Sequence, residues 1–193
     1  SRLESLKNIA ERYDGYGNSI RRVMEQKDRV PGIKGVVADL IQVNKEYEIA
    51  IETALGGSIQ NIVTDTQKTA KKMIEYLKKN RYGRVTFLPL DAVKGKEFAR
   101  KEILLEPGVI GAANQLVIYD EVYKDLFASL LGQILVVKDM DAGIKIANKY
   151  HHSVRIVTLD GDSLNRGGAM SGGAFKNKSN LLGRSREVEE LKK

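Results

Sequence analysis

The sequence predicts a mixed α+β fold in which one arrangement of strands and helices is built twice, with helices at both ends that resemble the starts of coiled coils. Three observations lead to this prediction. The chain repeats part of its own sequence, both copies show the same order of apolar segments, and apolar residues recur at helical spacing near both termini.

The repeat becomes visible when the sequence is shifted by 76 positions. Residues 31–56 then fall on residues 107–132 without a gap, and seven of the 26 positions are identical. The identical pairs are Pro31/Pro107, Gly32/Gly108, Gly35/Gly111, Leu40/Leu116, Tyr47/Tyr123, Leu55/Leu131 and Gly56/Gly132. After a gap of two residues, Ile62, Val63 and Asp65 fall on Val136, Val137 and Asp139. We therefore expect two related halves, about 31–90 and 107–165, with pseudo-twofold symmetry.

The first half reads as strand, helix, strand, helix, strand. The predicted elements are a strand over 35–43, a helix over 46–55 ended by Gly56 and Gly57, a strand over 59–64, a helix capped by Asp65 or Thr66 and running to Asn80, and a strand over 84–88. The inward stripe of the second helix is predicted to be Ala70, Met73, Ile74 and Leu77, and Gly83 is predicted to stop it.

The second half repeats this order. Its predicted elements are a helix over 120–131, a strand over 134–137, a helix over 139–150 and a strand over 154–159. Residues 91–106 form a connector between the halves with a possible helical turn.

Both ends of the chain have helical character. Leu3, Leu6, Ile9 and Tyr13 recur at helical spacing, a short helix is predicted over 19–27, and Val188 and Leu191 share one side of a helix that restarts at 185. Two alternatives remain open at this point: terminal helices packed on the domain, or two long helices that leave it and pair as a coiled coil. Two apolar positions are too few to establish a heptad repeat.

Composition excludes several classes of protein. With 42% hydrophobic and 30% charged residues, the chain has enough apolar material for a core and is not disordered. It has no cysteine and two histidines, which excludes disulfides and argues against a metal centre. Apolar runs are too short for a membrane span, and the charged start is not a secretory signal, so we expect a cytoplasmic protein.

A glycine-rich segment is the strongest candidate for a functional site. Five glycines fall within residues 161–173. No GxxxxGK[ST] or GxGxxG motif occurs, and the elbow-like surroundings of Ser171 are followed by a loop instead of a helix. Two interpretations remain: ordinary turn glycines, or bare backbone that lets a second chain approach closely. We favour the second.

At this segment the sequence resembles a known family. Residues 155–173, RIVTLDGDSLNRGGAMSGG, are similar to the glycine signature of the hinge domain of the structural maintenance of chromosomes (SMC) family: Gly, six residues, Gly, three residues, Gly-Gly. Residues 17–43, 55–65, 83–91 and 130–139 also resemble this domain, so the similarity covers about 15–175, and bacterial members are the most similar. Ala169, where many members carry a larger residue, is a minor departure.

The resemblance implies a function. A hinge of this family joins two identical chains at the far end of long antiparallel coiled-coil arms, which gives a V or ring that condenses and segregates chromosomes. It implies no catalysis in this segment. ATP and Mg would act in head domains elsewhere in the parent protein, where accessory subunits would also bind, and the protein would associate with the nucleoid and with no membrane. The alternative is an enzyme that binds a phosphorylated ligand at 161–173.

The resemblance also implies an interface and a division into domains. The residues implied at the dimer interface are Gly161, Gly167, Gly168, Ala169, Met170, Ser171, Gly172 and Gly173. The implied domains are an N-terminal coiled-coil stub and entry helix over 1–28, a first hinge subdomain with the connector over 29–106, a second subdomain over 107–175 and a C-terminal coiled-coil stub over 176–193.

Positive charge is concentrated in one segment. The whole chain carries a net charge of +7, and residues 66–84 contain seven basic residues against Glu75. The residues predicted to bind DNA without sequence preference are Lys68, Lys71, Lys72, Lys78, Lys79, Arg81, Arg84, Lys176 and Lys178. A solvated helix face is the alternative. Aromatic residues are few, so Tyr76 and Tyr82 are the candidate platforms for base stacking.

Two further groups are weak candidates. The adjacent residues His151 and His152 are predicted to be surface side chains, since neighbouring positions on a helix face apart. Asp160 and Asp162 flank Gly161, and such aspartates ordinarily serve a turn. We therefore expect no metal site at either group.

Overall fold

The structure is a computed structural model that describes residues 1–13, 16–175 and 181–192. The helices are α1 (Arg2–Arg12), α2 (Asn18–Met24), α3 (Glu48–Leu55), α4 (Gln67–Asn80), α5 (Lys101–Leu104), α6 (Lys124–Leu131), α7 (Met140–Lys149) and α8 (Leu181–Lys192). The strands are β1 (Ile33–Val36), β2 (Ile41–Val43), β3 (Ile62–Thr64), β4 (Phe87–Pro89), β5 (Val109–Ala112), β6 (Val117–Tyr119), β7 (Ile134–Val137), β8 (Arg155–Thr158), β9 (Ser163–Leu164) and β10 (Met170–Ser171). Among the described residues, no helix combines the length and apolar character needed to cross a bilayer.

The chain divides into two compact units. The first contains residues 1–37 and 60–93, and the second contains 38–59 and 94–193. Each unit therefore combines segments that are separated in the sequence. The division into four consecutive domains, 1–28, 29–106, 107–175 and 176–193, stays a prediction.

The first unit contains a three-stranded sheet in the order β1-β3-β4. Strand β3 lies antiparallel to β1 and parallel to β4. Helix α4 packs on this sheet through Ala70, Met73 and Leu77, which are buried. We call this sheet with α4 the first core.

The second unit contains a five-stranded sheet in the order β10-β9-β8-β7-β5. Strand β7 lies antiparallel to β5 and parallel to β8, so these three strands reproduce the first sheet. Helix α7 covers them with Ala142, Ile146 and Ala147 buried. Strands β9 and β10 then extend the sheet beyond β8. We call this sheet with α7 the second core.

The structure confirms the repeat in detail. Strands β1 and β5 begin 76 residues apart, and each has an irregularity at the same place in its register, between Ile33 and Gly35 and between Val109 and Gly111. Helices α4 and α7 begin at equivalent caps, where Thr66 accepts a hydrogen bond from the Thr69 N–H and Asp139 accepts one from the Ala142 N–H. Within the second unit, β2 pairs antiparallel with β6, and Gln42 faces Ile118, its own counterpart in the repeat.

The caps also correct the alignment of the halves. Thr66 and Asp139 are 73 residues apart, so the gap after residue 56 is three residues and not two. A further shift follows before the last shared strand, where Phe87 and Ile156 occupy equivalent positions beside Ile62 and Leu135. Turn lengths differ between the halves, and short apolar strands match at more than one offset.

Three local predictions were wrong. The strand predicted over 35–43 is broken by a 3₁₀ turn at Val37–Asp39, because its two ends pair with different strands. Helix α4 ends at Asn80 through the left-handed Arg81, with φ of 54°, ahead of Gly83. Ile74 is not an inward residue of that helix but is 39% exposed.

The terminal helices lie in different units. Helix α1 belongs to the first unit. There the hydroxyl of Ser5 in α1 donates a hydrogen bond to Asp28 over 2.6 Å, which lowers the pKa of Asp28. In the second, α8 begins at Leu181, ahead of the predicted restart, and the Leu181 N–H donates to Glu52 in α3. Arg186 pairs with the buried Glu48. Whether these helices continue as arms stays a prediction.

Candidate interface and basic surface

The predicted interface residues form the outer edge of the second core. Strand β10 pairs with β9 on one side, and within the described chain it is the last strand of the sheet. Residues 166–175 are all exposed, and Met170 is 54% exposed although it is a large apolar side chain. An exposed edge strand offers backbone hydrogen bonds to another chain.

The ladder determines which backbone groups face outward from this edge. The Asn165 N–H donates to the Ala169 carbonyl over 2.8 Å, so these two residues form a hydrogen-bonded pair. Hydrogen-bonded and non-hydrogen-bonded pairs alternate along an antiparallel ladder. The Met170 N–H and carbonyl therefore point away from β9, toward the open edge. The Met170 side chain lies on the same sheet face as Leu164, its direct partner across the ladder.

Most glycines of the segment are explained by the backbone conformation or the packing of their own chain. Gly161 has φ of 89°, and a Cβ built there would lie 2.8 Å from both Ile49 Cγ2 and Phe175 Cζ. Gly167, Gly168 and Gly173 also have positive φ, but a Cβ built on them would meet nothing within 4 Å. The turn interpretation thus accounts for these three within one chain, since such backbone favours glycine. Close approach of a second chain stays a prediction.

The first core ends in an open edge of its own at β4. The Ile62 N–H donates to Thr86 O and the Leu90 N–H donates to Thr64 O, so alternate residues of this segment bond to β3. The N–H and carbonyl of Phe87 therefore point away from β3. Pro89 has no N–H, which shortens the stretch that another strand could pair with.

An apolar groove lies beside this edge, between α4 and β4. Its volume is about 380 Å³, and its lining residues are Gln67, Ala70, Lys71, Ile74, Glu75, Lys78, Val85, Phe87 and Pro89. Sequence reasoning missed this groove because Ile74 was placed in the core. The signal was present, since Ile74 lies one turn from Ala70 and extends the apolar stripe beyond the width that one sheet face covers.

The predicted basic residues lie on α4 and the turn that follows it. All seven between 68 and 84 are exposed, and Lys71 lies 3.8 Å from Glu75 one turn away. The five lysines on α4 form two stripes: Lys71 and Lys78 flank the groove, whereas Lys68, Lys72 and Lys79 lie on the outward face. Lys176 and Lys178 lie outside the described residues. The structure thus brings seven of the nine predicted residues to one helix and its end.

The tyrosines near this surface are not open stacking platforms. The rings of Tyr76 and Tyr82 meet edge to face at 5.7 Å, and the Arg22 guanidinium lies 4.6 Å from the Tyr82 ring centre. Burial raises the pKa of the Tyr76 hydroxyl. Both rings are therefore engaged within the first unit.

The carboxylate of Asp65 is closely packed and hydrogen-bonded at the start of α4. The Thr69 hydroxyl donates to Asp65 over 2.6 Å, which lowers the pKa of Asp65, and the Thr66 N–H adds a second hydrogen bond. A Cβ on Gly32 would clash with Asp65 Oδ1. Asp65 therefore fixes the strand-to-helix turn through Oδ1.

The weak candidates lie on the surface. His151 and His152 occupy an exposed turn after α7, each with positive φ. Asp162 accepts a hydrogen bond from the Thr158 hydroxyl beside the turn at Gly161. Among residues 1–13, 16–175 and 181–192, no group of three His, Cys, Asp or Glu side chains is placed to hold one metal ion.

Comparisons with known proteins agree with the resemblance. Residues 30–147 match the family described as SMC proteins Flexible Hinge Domain. The chain is similar over its full length to Chromosome partition protein Smc of Desulfitobacterium hafniense (strain Y51), at 44% identity, and of Bacillus subtilis (strain 168), at 40% identity. It spans 16% and 17% of those proteins.

A solved structure shows the same fold. The chain resembles the hinge in the crystal structure of an asymmetric dimer of the Geobacillus stearothermophilus SMC hinge domain, with a TM-score of 0.88 and 40% identity over 99% of this chain and 80% of that one. The predicted mixed fold is confirmed. The alternative of an enzyme at 161–173 finds no support in these comparisons.

Proposed function

This chain belongs to the family of SMC hinge domains, and we propose that it forms a homodimer through the edge of the second core. The observation that carries the proposal is the exposed strand β10, whose outward backbone groups and exposed Met170 lie within the predicted interface, residues 161–173. The Geobacillus stearothermophilus relative was crystallised as an asymmetric dimer.

Each chain carries two different edge strands that suit this contact, β10 on the second core and β4 on the first. In a two-fold dimer, the contact of one copy's β10 with the partner's β4 occurs twice. Two such contacts pair β10 and β4 of both chains and close the assembly. A ring of two chains is therefore the expected product.

The mass of the particle in solution tests the dimer. Size-exclusion chromatography with light scattering should give twice the 21.5 kDa of one chain, and Met170→Asp should shift the particle toward one chain. Leu105→Asp is the matched control, because Leu105 is an exposed apolar residue of the same unit outside the predicted interface. A wild-type particle that stays at one chain at high micromolar concentration would remove the proposal.

Substitution of the glycines is a poorer test. Gly167, Gly168 and Gly173 have positive φ, so side chains there strain the backbone before any partner is involved. We still expect bulky residues at Gly168, Gly172 and Gly173 to yield monomers. Substitutions at Ala169, Met170 and Ser171 test the interface more directly, because none of these residues has a positive φ.

The terminal helices are proposed to be the starts of the arms. Helix α1 has no buried residue and Leu3 is 78% exposed, while Leu191 of α8 is 88% exposed. Exposed apolar residues on a terminal helix can pack against a second helix, as they would in a coiled coil. The parent protein would hydrolyse ATP with Mg in head domains and bind accessory subunits there. It would act on chromosomes in the cytoplasm, at the nucleoid.

A second function, sequence-independent DNA binding, is favoured by the basic surface of α4. Lysines on the outward face of one helix provide a row of charges that suits the regular phosphates of a duplex. Because Tyr76 and Tyr82 are engaged with each other, base stacking should add little. Gel-shift assays should show binding that weakens steeply with salt and is indifferent to sequence. Binding that persists unchanged at high salt would contradict this function.

A further inference from the structure

The base of α8, residues 181–186, is held by two carboxylates of α3 in the same unit. The Leu181 N–H, at the start of α8, donates to Glu52 Oε1 over 3.1 Å. Further along the helix, the Arg186 guanidinium donates to Glu48, whose side chain is 7% exposed. Glu48 and Glu52 are four residues apart, so they lie on one face of α3. We call these two contacts the clamp.

Helix α8 has little apolar packing to hold it apart from the clamp. Within residues 181–191, Leu182 is the one large apolar side chain that is buried. A groove of about 400 Å³ lies between α8 and the β2–β6 pair. Elements with few buried apolar contacts open locally at a low cost in free energy. The position of α8 therefore depends on the charge-assisted hydrogen bonds that α3 offers.

A second face of α3 contacts the start of the predicted interface segment, residues 161–173. The Thr53 hydroxyl donates to the Gly161 carbonyl over 3.4 Å. Ile49, one turn earlier on α3, lies beside the same glycine, because a Cβ built on Gly161 would lie 2.8 Å from Ile49 Cγ2. Phe175, which follows β10, lies equally close to that point. Helix α3 thus packs against the turn that leads into β9, the neighbour of β10.

Arg155 of β8 ties the end of α3 to the sheet. Its Nη1 donates to the Ala54 carbonyl over 3.1 Å, and its Nη2 donates to the Thr53 carbonyl over 3.2 Å. The last carbonyls of a helix have no partner within the helix, and a cation at that end also complements the helix dipole. Strand β8 pairs with β9, and β9 pairs with β10. Contiguous contacts therefore run from the β10 edge through β9, β8 and Arg155 to α3 and the clamp.

We propose that α3 couples the dimer contact to the anchoring of the C-terminal arm, so that each stabilises the other. The proposal rests on the homodimer and on α8 as the start of an arm, both proposed above. Its two states are a clamped α8 and a released α8, in which the contacts with Glu48 and Glu52 are open. A partner on β10 orders the sheet edge and the Gly161 turn, which holds α3 where the clamp closes. By linkage, a closed clamp favours the dimer in return.

Hydrogen exchange of the Leu181 N–H measures how often the clamp opens. This proton should exchange at least about fivefold more slowly in the wild-type dimer than in the separated Met170→Asp chain, which is the lower end of ordinary coupling between sites. The matched control is the Ala142 N–H, which also donates to a carboxylate at a helix start, Asp139 Oδ1 at 2.9 Å. It should exchange equally in both. Equal exchange of the Leu181 proton in the dimer and the separated chain would overturn the proposal.

Substitutions in the clamp test the coupling in the reverse direction, through the dissociation constant of the dimer measured by sedimentation. Glu52→Ala removes the acceptor of the Leu181 N–H and should raise this constant at least about fivefold, because both chains lose the contact. Glu52→Gln keeps an acceptor oxygen and removes a carboxylate whose pKa burial raises, so its constant should stay within about twofold of the wild-type value. Glu187→Ala, at an exposed acid of α8, is the control for lost charge. Equal constants for Glu52→Ala and Glu187→Ala would overturn the proposal.

The route through α3 is tested at Arg155, which belongs neither to the clamp nor to the predicted interface. Arg155→Lys keeps the positive charge, but one ammonium cannot reproduce the fork that holds two carbonyls. In this variant the Leu181 exchange rates of the dimer and of the separated chain should differ by less than about twofold. Arg100→Lys is the matched control, because Arg100 lies in the same unit and donates to Ser153 instead of α3. It should keep the wild-type difference.

The outcomes separate this coupling from the dimer itself. If Arg155→Lys keeps the full difference at Leu181, the coupling does not run through α3, and the proposal is overturned while the dimer stands. Thr53→Val, which removes only the hydrogen bond to Gly161, should reduce the difference in the same direction and serves if Arg155→Lys disturbs the fold. A wild-type chain that stays a monomer removes the proposed function and this coupling with it.

Discussion

The two cores are built from the same plan and differ at one edge. Each has an antiparallel strand with the same irregularity, a central strand, a parallel third strand and a helix that starts at a polar cap. The second core continues through β9, whose Leu164 closes the space beside α7, while the first core stops at β4 and leaves Ile74 exposed. In the dimer proposed above, one half is complete within its own chain and the other is completed by the partner.

The largest expected effect tests this contrast directly. Leu164→Ala should lower the free energy of unfolding by about 2–5 kcal/mol, because it opens a cavity in a closed core. Met170→Ala should change the unfolding of the separated chain by less than about 0.5 kcal/mol, because its side chain is exposed there.

Urea denaturation at low concentration, where the chains are separated, measures both variants. For Leu164→Ala, the urea concentration at the midpoint of unfolding should fall, and the slope of the unfolding free energy against urea concentration should stay unchanged. Similar losses for the two variants would show that Met170 is already packed within its own chain, and the contrast between the cores would fail.

An intermediate effect is expected from the charges on the outward face of α4. The triple variant Lys68→Glu/Lys72→Glu/Lys79→Glu on α4 should weaken DNA binding. The slope of the logarithm of the binding constant against the logarithm of the salt concentration should become shallower by roughly one unit for each lost phosphate contact. The matched control is Lys124→Glu/Lys138→Glu/Lys145→Glu, three exposed lysines of the second unit. Both triple variants change the net charge equally, so a gel-shift that falls equally for both would assign the binding to overall charge and not to α4.

The smallest effect is expected at the side-chain cap that begins the helix of each core. Thr66→Ala and Asp139→Ala should each cost about 1 kcal/mol of unfolding free energy, because each removes a side-chain hydrogen bond to the third N–H of its helix. Serine at either position should restore most of the loss. A clear difference between the two alanine variants would contradict the equivalence of the two helix starts.

Much of the fold could be predicted from the sequence because its signals are local. A cap at Asp65 or Thr66, the strand over 134–137 and the helix that begins after Asp139 follow from short-range patterns. The structure contains the strand and the helix, and it has Thr66 as the cap. The break at Val37–Asp39 could not be predicted in this way. Its apolar run is continuous, and only the pairing of its two ends with different strands interrupts it.

The candidate site was predictable in composition but not in geometry. The glycine segment and Met170 were identified from the sequence, whereas the groove was missed, because its openness depends on a strand that the first half lacks. Sequence spacing placed Ile74 on the inward stripe of α4, but the sheet beneath that helix is too narrow to cover it. The wide apolar stripe of α4 is visible in the sequence, but the number of strands beneath the helix is needed to show that Ile74 lies outside the covered width.

The most direct measurement of the central claim is amide exchange at Phe87, whose N–H points to the open edge of the first core. In the dimer this proton should exchange slowly, and in the Met170→Asp chain it should exchange quickly, because the strand that accepts it is removed. Ile156, whose partner Leu164 belongs to the same chain, should be protected in both. Equal exchange of the Phe87 proton in the dimer and in the separated chain would show that no partner strand completes this core.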